Sequence, residues 1–138
     1  MKISSGIIIK YKDKILLCHP TNSSWNGTFS FPKGLVNDEE DLIDAAIREC
    51  FEETGIIVSK NNIINKFCVK YTKGRTLYKK VYLFQINIES LEEIGLTQEV
   101  VDKDKLQLEE IDWCGFVNKN EIENKIFWRF KNIINDVF

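Results

Sequence analysis

The chain has 138 residues, 43% of them hydrophobic and 29% charged, a balance and a length that suit a single globular domain over residues 1–138 with one core. A formal net charge of −2 excludes a general basic field, so a polyanion would have to be held by a local cluster of cations or by metal. Four cysteines, Cys18, Cys50, Cys68 and Cys114, lie far apart with no C-x-x-C pair; this argues against a zinc site or disulfide framework and for free thiols in a reducing cytoplasm.

In chain order, Met1–Ser5 leads directly into Ile7-Ile8-Ile9 with no small-residue cleavage site after it, so the start reads as a strand rather than a signal peptide. No apolar run approaches the roughly 18 residues that cross a bilayer, and no membrane partner is expected. Apolar runs at 3–10 and 15–19 flank Tyr11-Lys12-Asp13-Lys14 and predict a hairpin. Residues 20–28 read as a loop, followed by a short strand at Phe29–Phe31 that Pro32 ends. A helix is predicted over Leu42–Thr54, capped by Asn37 or Asp38, with Glu39, Glu40 and Asp41 in its first turn and Gly55 as its left-handed stop. Ile56–Val58 reads as a short strand. Ile63–Tyr71 and Leu77–Ile88 predict a second hairpin around Lys73-Gly74-Arg75. Residues 89–109 look like a long surface loop with room for a helical turn, and Ile111–Val117 like a further strand. Asn118 and Glu121 form a capping pair for a final helix whose apolar positions Ile122, Ile126, Phe130, Ile133 and Val137 step by three and four. Strands with one helix in the middle and one at the end suggest an α/β (α+β) fold, a mixed sheet between helices.

The chemistry concentrates between Gly34 and Ile56. Wound at about 100° per residue, Leu42–Thr54 puts Ile43, Ala46, Ile47 and Cys50 on a buried stripe, with Leu42 and Phe51 at its margins. Glu49, Glu52 and Glu53 fall together on another face, with the small Ala45 one turn before them. Like charges at these spacings repel, and no lysine on the helix relieves them; Arg48 alone flanks the cluster. A divalent cation would make such a cluster favourable. All-oxygen donors suit Mg²⁺ or Mn²⁺, ions that bridge phosphate oxygens and activate water. A plain acidic surface helix is the alternative on these residues alone.

Gly34, Glu40 and the run Arg48-Glu49-Cys50-Phe51-Glu52-Glu53-Thr54-Gly55-Ile56 resemble a complete Nudix box, G-x5-E-x7-R-E-U-x-E-E-x-G-U with U apolar. Cys50 at the first apolar place is a mild departure, since a buried thiol behaves as a small hydrophobe. The resemblance implies a Nudix-type α/β/α sandwich with a mixed β-sheet and hydrolysis of a pyrophosphate linkage. It implies Glu49, Glu52 and Glu53 as metal-binding and catalytic carboxylates, with Arg48 orienting them. Glu40 would be a structural partner of that arginine, and Gly34 would permit a backbone turn that brings loop carbonyls to the metal.

Three further segments resemble the family's dinucleoside polyphosphate hydrolase and RNA 5′-pyrophosphohydrolase branches. Glu110-Ile111-Asp112 resembles an E-F-D element, which makes Glu110 a catalytic candidate, with Glu109 beside it. Phe31-Pro32-Lys33-Gly34 resembles those branches' entry to the box and places Lys33 on the polyphosphate. Lys80-Val81-Tyr82-Leu83-Phe84-Gln85 resembles their K-x-aromatic strand, with Lys80 and Tyr82 as substrate-binding candidates. Lys66, Lys70, Lys73, Arg75, Lys79 and Lys80 make the second hairpin basic, either to hold a long polyphosphate or RNA 5′ end or to guard a sheet edge. Tyr71 and Trp25 are further stacking candidates, and His19, with no partner evident in sequence, reads as structural. The expected substrate is a nucleotide or dinucleotide polyphosphate, diadenosine tetraphosphate or an RNA 5′-triphosphate. Nucleoside triphosphates or nucleotide sugars such as ADP-ribose are the alternative, and a non-catalytic sensing module would be expected to show a broken box.

Overall fold

The computed structural model describes residues Met1–Phe138. Its frame is a six-stranded mixed sheet built from β1 (Lys2–Tyr11), β2 (Lys14–Pro20), β3 (Lys33–Leu35), β4 (Asn65–Lys73), β5 (Thr76–Ile88) and β6 (Ile111–Asn118). The order is β4-β5-β1-β2-β6, with β3 also paired to β1. β1 and β5 run parallel over ten residue pairs, from Lys2 beside Lys79 to Tyr11 beside Ile88. The other pairings are antiparallel. Three helices complete the fold: α1 (Leu42–Thr54) on one face, and α2 (Lys119–Lys125) and α3 (Lys131–Val137) on the other.

Two apolar clusters follow from strand alternation. Ile7, Ile9, Phe84 and Ile86 point toward α1 and pack with Ala46 and Cys50. Ile8, Val81 and Leu83 point the other way and pack with Ile122, Phe130 and Val137. The predicted sandwich therefore forms, with the central strands buried on both faces.

The sheet opens beside β1. β1 and β2 pair only at Lys10–Ile15 and Tyr11–Lys14, next to their turn. Farther along, residues 30–35 wedge between them. Ser30 exchanges backbone hydrogen bonds with Cys18 at 2.7 and 2.9 Å, Ile7 N–H donates to the Pro32 carbonyl at 3.1 Å, and Lys33–Leu35 pairs with Gly6–Ser4. The strand expected at Phe29–Phe31 is thus displaced past Pro32. Before the proline only isolated bridges form, at Phe29 and Ser30; a residue without an N–H cannot carry the ladder through.

Other expectations shift for equally local reasons. Ile56–Val58 is not a strand: Ile56 and Val58 are buried and Ile57 exposed, so the alternation serves packing without a pairing partner. Residues 89–109 hold the helical turn the sequence left room for, and they are not confined to the surface. Short 3-10 turns at Leu91–Ile94 and Lys103–Lys105 bring Ile94, Val101 and Leu106 into the α1-side core. Lys14 donates to both carboxylate oxygens of Glu99 at 2.7 and 2.9 Å and ties the segment to the first hairpin.

The single final helix is broken in two. Asn118 caps α2 by accepting from Asn120 N–H, as expected for its side chain. The helix then stops because Phe29 competes for its end: Phe29 N–H donates to the Lys125 carbonyl at 2.9 Å, and Phe127 N–H donates to the Phe29 carbonyl at 2.8 Å. A 3-10 turn at Trp128–Phe130 leads into α3. Phe130 is fully buried against Phe31, at 5.4 Å between ring centroids. Phe130→Ala should cost about 3–5 kcal/mol, the range for removing a buried phenylalanine. Urea unfolding checks this, and a loss below about 1 kcal/mol would mean this side of the core can collapse onto the gap.

Candidate active site

Asp41, not Asn37 or Asp38, caps α1; its carboxylate accepts from Ile43 N–H at 3.0 Å and Asp44 N–H at 3.3 Å. Glu39 and Glu40 therefore lie outside the helix, and Glu39 has a positive φ of 63°. That kink presents Glu40 to Arg48. Arg48 Nε donates to one Glu40 oxygen at 2.8 Å and Nη2 to the other at 2.9 Å, a two-pronged pairing. Nη2 also donates to the Leu35 carbonyl at 3.0 Å, and Nη1 to Glu49 at 2.8 Å and Glu52 at 3.2 Å. One guanidinium thus binds the loop, the end of β3 and two helix carboxylates. Its planar fork suits this role in a way an ammonium would not. Glu40 is held down to about 2, first by its hydrogen bond from Arg48 and then by that from Asn37 N–H.

The inward face of α1 is rotated from the expected stripe. Its buried residues are Ala45, Ala46, Cys50, Glu53 and Thr54; Leu42, Ile43 and Ile47 are half-buried against the same core, and Phe51 is exposed. The rotation turns Glu49 and Glu53 toward the β3 wedge. Gly34 makes this approach possible. A Cβ placed there would lie 2.1 Å from the Glu49 carboxylate. Gly34 is in a strand and is not among the residues with positive φ. Its observed role is to leave space for Glu49, which replaces the backbone turn expected from the sequence.

Glu53 is buried, 5% exposed, and its Oε1 accepts from Lys33 N–H at 3.4 Å. Desolvation, followed by the charge of Glu110, pushes it up to about 8. Glu49 is raised by burial, with Glu52 and Glu110 adding to the effect and Arg48 opposing it. Glu110 is therefore within electrostatic reach of both helix carboxylates from the start of β6. Glu109 contributes to neither shift. The Lys33 ammonium is lowered by burial, against the pull of Glu53, Cys18, Glu110 and Glu49.

No three carboxylates converge on one point in this arrangement, because Glu49 and Glu52 both turn to Arg48. The donors nevertheless fit a hard divalent cation: they are all oxygens, and Glu53 and Glu49 are raised first by burial and then by neighbouring carboxylates, both of which a bound cation would offset.

The basic hairpin divides by strand parity. Lys80 and Tyr82 lie on the α1 side of β5, in line with Ile3 and Ser5, and Tyr82 packs against the α1-side core. Lys79 faces the other side, where its charge is felt together with those of Lys33 and Lys2. Lys33 and Lys79, not Lys33 and Lys80, thus lie on the same face of the sheet. On that face Lys79 also lines a cavity of about 750 Å³ with Met1, Lys2, Tyr71, Leu77 and Tyr78. The sequence placed Lys79 in the basic hairpin but not on a face, because adjacent strand residues face opposite ways, and only the pairing of β5 with β1 shows which of two neighbouring lysines shares a face with Lys33.

His19 has a partner after all. Its Nδ1 lies 2.6 Å from Asp112 Oδ1, its Nε2 donates to the Ser24 carbonyl at 3.0 Å, and its ring packs on Trp25 and Phe29. Tyr71 is buried, while Trp25 packs on His19 and Phe29 with half of its surface exposed. No helix is long and apolar enough to cross a membrane, and all four cysteines are free.

Two measurements test this arrangement. Gly34→Ala should change the melting temperature little, because the group it meets is the mobile end of a side chain, yet it should displace Glu49 and abolish most activity; normal activity would show that the Glu49 position is not needed. Glu40→Gln should destabilise at pH 7. A depressed carboxylate adds stability above its ordinary value of 4.5, which is lost as pH falls through about 2. The difference from wild type in urea unfolding should accordingly shrink below pH 4.5 and vanish near pH 2; a pH-independent difference would reject the ion pair as its source.

Comparison with known proteins bears on the family and the fold. The chain is 30% identical over 121 residues to the mRNA-decapping protein g5R of African swine fever virus (isolate Warthog/Namibia/Wart80/1980), covering 82% of this chain and 49% of that one. The chain spans about half the length of that relative. Among solved structures, a C. elegans Ap4A hydrolase binary complex superposes with a TM-score of 0.68 at 17% identity, covering 98% of this chain and 93% of that one. A bifunctional NMN adenylyltransferase/ADP ribose pyrophosphatase from Francisella tularensis, complexed with AMP and Mn ion, gives 0.67 at 16% identity over 98% of this chain and 41% of that one. Residues 2–125 match the family model for the NUDIX domain, and with Gly34, Glu40, Arg48, Glu49, Glu52 and Glu53 all in place, the chain belongs to the Nudix hydrolase family.

Proposed function

We propose that this protein is a divalent-metal-dependent pyrophosphohydrolase of nucleotides with three or more linked phosphates, either a dinucleoside polyphosphate such as diadenosine tetraphosphate or an RNA 5′-triphosphate. The observation that carries the reading is the placement of charge: Lys33 N–H donates to Glu53 at 3.4 Å beside Glu49 and Glu110, and the strand register puts Lys33, Lys2 and Lys79 on one face of the sheet. Several lysines on one face supply more positive charge than a single diphosphate needs. The decapping and Ap4A-hydrolysing names of relatives support the same class.

In this reading Glu49, Glu52 and Glu53 hold Mg²⁺ or Mn²⁺, which when bound would polarise a phosphoryl oxygen and lower the pKa of water. Arg48 keeps Glu49 and Glu52 on the cleft side of α1, and the Glu40 pairing fixes Arg48. Gly34 leaves the Glu49 carboxylate its space. Glu110 takes the proton of the attacking water at its carboxylate. Lys33 and Lys79 hold the phosphates away from the point of attack as point charges. Lys80 and Tyr82 are assigned to a different part of the substrate, on the other face of the sheet. Four free thiols suit an enzyme of the reducing cytoplasm.

The test is a substrate panel at fixed Mg²⁺ with product identification: diadenosine tetraphosphate, triphosphorylated RNA, ATP and ADP-ribose. Hydrolysis in ¹⁸O-labelled water should place the heavy oxygen on a phosphate product. Glu53→Gln should lose roughly a hundredfold or more in kcat, the scale of acid–base and metal-site residues, with an unchanged melting curve. Lys79→Ala should raise KM most for the longest polyphosphates. A preference for ADP-ribose indifferent to Lys79→Ala would overturn the substrate class.

A further inference from the structure

Residues 63–88 contain Lys66, Lys70, Lys73, Arg75, Lys79 and Lys80 and no aspartate or glutamate. Outside this segment thirteen cations face twenty-one anions, a net −8. Ion pairs engage Lys14, His19, Arg48, Lys60 and Lys125, and none of the six. Only Lys79 shares a face of the sheet with Lys33 and Lys2. The strand register sends Lys66, Lys70 and Lys80 to the opposite, α1-side face.

There the cross-strand partners form a small grid: Lys70 beside Lys80, Cys68 beside Tyr82 and Lys66 beside Phe84. The β4 members of the grid, Lys66, Cys68 and Lys70, are exposed. No β4 residue joins the α1-side core, although Val69 and Tyr71 join the core on the other face. Tyr82 is half-buried, and Lys66 Nζ lies 5.1 Å from its ring centroid and 6.0 Å from that of Phe84. The half-buried Tyr82 ring thus sits between cations along one shelf, with Lys66 over it and Lys70 and Lys80 one grid pair further along. That is the composition that takes single-stranded nucleic acid, with lysines following phosphates and a ring accepting a base. Lysines that only guarded the sheet edge would not need an aromatic platform among them.

We propose that this shelf is a second binding site, separate from the cleft, for the body of a single-stranded RNA whose 5′ end occupies the cleft. The inference rests on the reading of RNA 5′ ends as substrates. β4 is the edge strand, so a chain leaving the cleft past Lys79 has a route round the Lys73–Arg75 turn to Lys70 and Lys66. A dinucleotide held in the cleft would not need this shelf, which gives RNA an advantage that small nucleotides lack.

The probe is a 5′-hydroxyl single-stranded RNA of about a dozen nucleotides, a length that spans one such site, which carries no pyrophosphate and binds without turnover. Its affinity is measured by fluorescence anisotropy across a KCl series, in the full chain and in Lys66→Ala/Lys70→Ala. The double variant should bind about tenfold or more weakly at low salt, with a log Kd against log[KCl] slope smaller by about 1.4, at about 0.7 for each phosphate no longer neutralised. Tyr82→Leu, which keeps an apolar side chain against α1, should weaken binding at every salt concentration with the slope unchanged. Diadenosine tetraphosphate hydrolysis by Lys66→Ala/Lys70→Ala should stay at the wild-type level. Equal RNA binding by the double variant and the wild type would overturn the proposal, as would binding of phosphatidylserine vesicles with no RNA binding. If RNA binding is lost as expected but triphosphorylated RNA is not hydrolysed by the wild type, the substrate reading fails and the shelf stands.

Discussion

Arg48 is the constraint on which the site depends. Three carboxylates, from Glu40, Glu49 and Glu52, and the Leu35 carbonyl all accept from one guanidinium. Without it Glu49 and Glu52 would face each other and Glu53 with no counter-charge, at spacings that destabilise a helix. With it, the loop after β3 is drawn onto α1 and the helix start is pushed back to Asp41. This cross-brace in turn sets α1 against β3 at the one place where no side chain stands in the way, Gly34. The acidic end of the cleft is therefore a product of packing as much as of charge.

The parts of this arrangement that depend on spacing alone were legible in the sequence. The box is covalent pattern, so Gly34, Glu40, Arg48 and the three glutamates could be named, and Glu40 could be read as the partner of Arg48. The hairpins and the left-handed stop at Gly55 were equally plain, since each rests on local chemistry. What could not be read depended on contacts between distant residues. Asn37, Asp38 and Asp41 are all good caps, and only the reach from Glu40 to Arg48 selects Asp41. The periodicity of the last segment runs unbroken through Ile126 and Phe130, and nothing in it reveals that Phe29 takes the backbone groups at 125–127. Asp112 was visible, but its bond to His19 crosses 93 residues. Lys79 and Lys80 are chemically identical neighbours, separated only by the face each occupies.

That last distinction bears on the whole second hairpin. In sequence it is one basic block. In the fold it becomes two surfaces of different character, one on the face of the sheet that also carries Lys33 and Lys2 and one on the α1 side with an aromatic ring among its lysines. The sheet between them keeps their charges on opposite faces of the protein. A single patch of positive charge would draw in any polyanion; two patches joined only around an edge favour one long enough to reach both.

Gly6 has a consequence for which changes this chain can tolerate. A Cβ there would meet the Pro32 carbonyl and the Lys33 Cβ, each at 2.5 Å. Unlike the carboxylate above Gly34, these atoms are backbone or fixed to it and cannot swing aside. Even alanine at position 6 would have to lever residues 32–33 away from β1, and Lys33 N–H would move off Glu53 with them. A residue of the first strand, far ahead of the box and outside its pattern, is thus under as strict a steric limit as any residue within it. A tolerance map of this protein would show Gly6 as rigidly fixed, while Gly27 and Gly74, left-handed but with nothing within 4 Å of where a Cβ would stand, would accept asparagine.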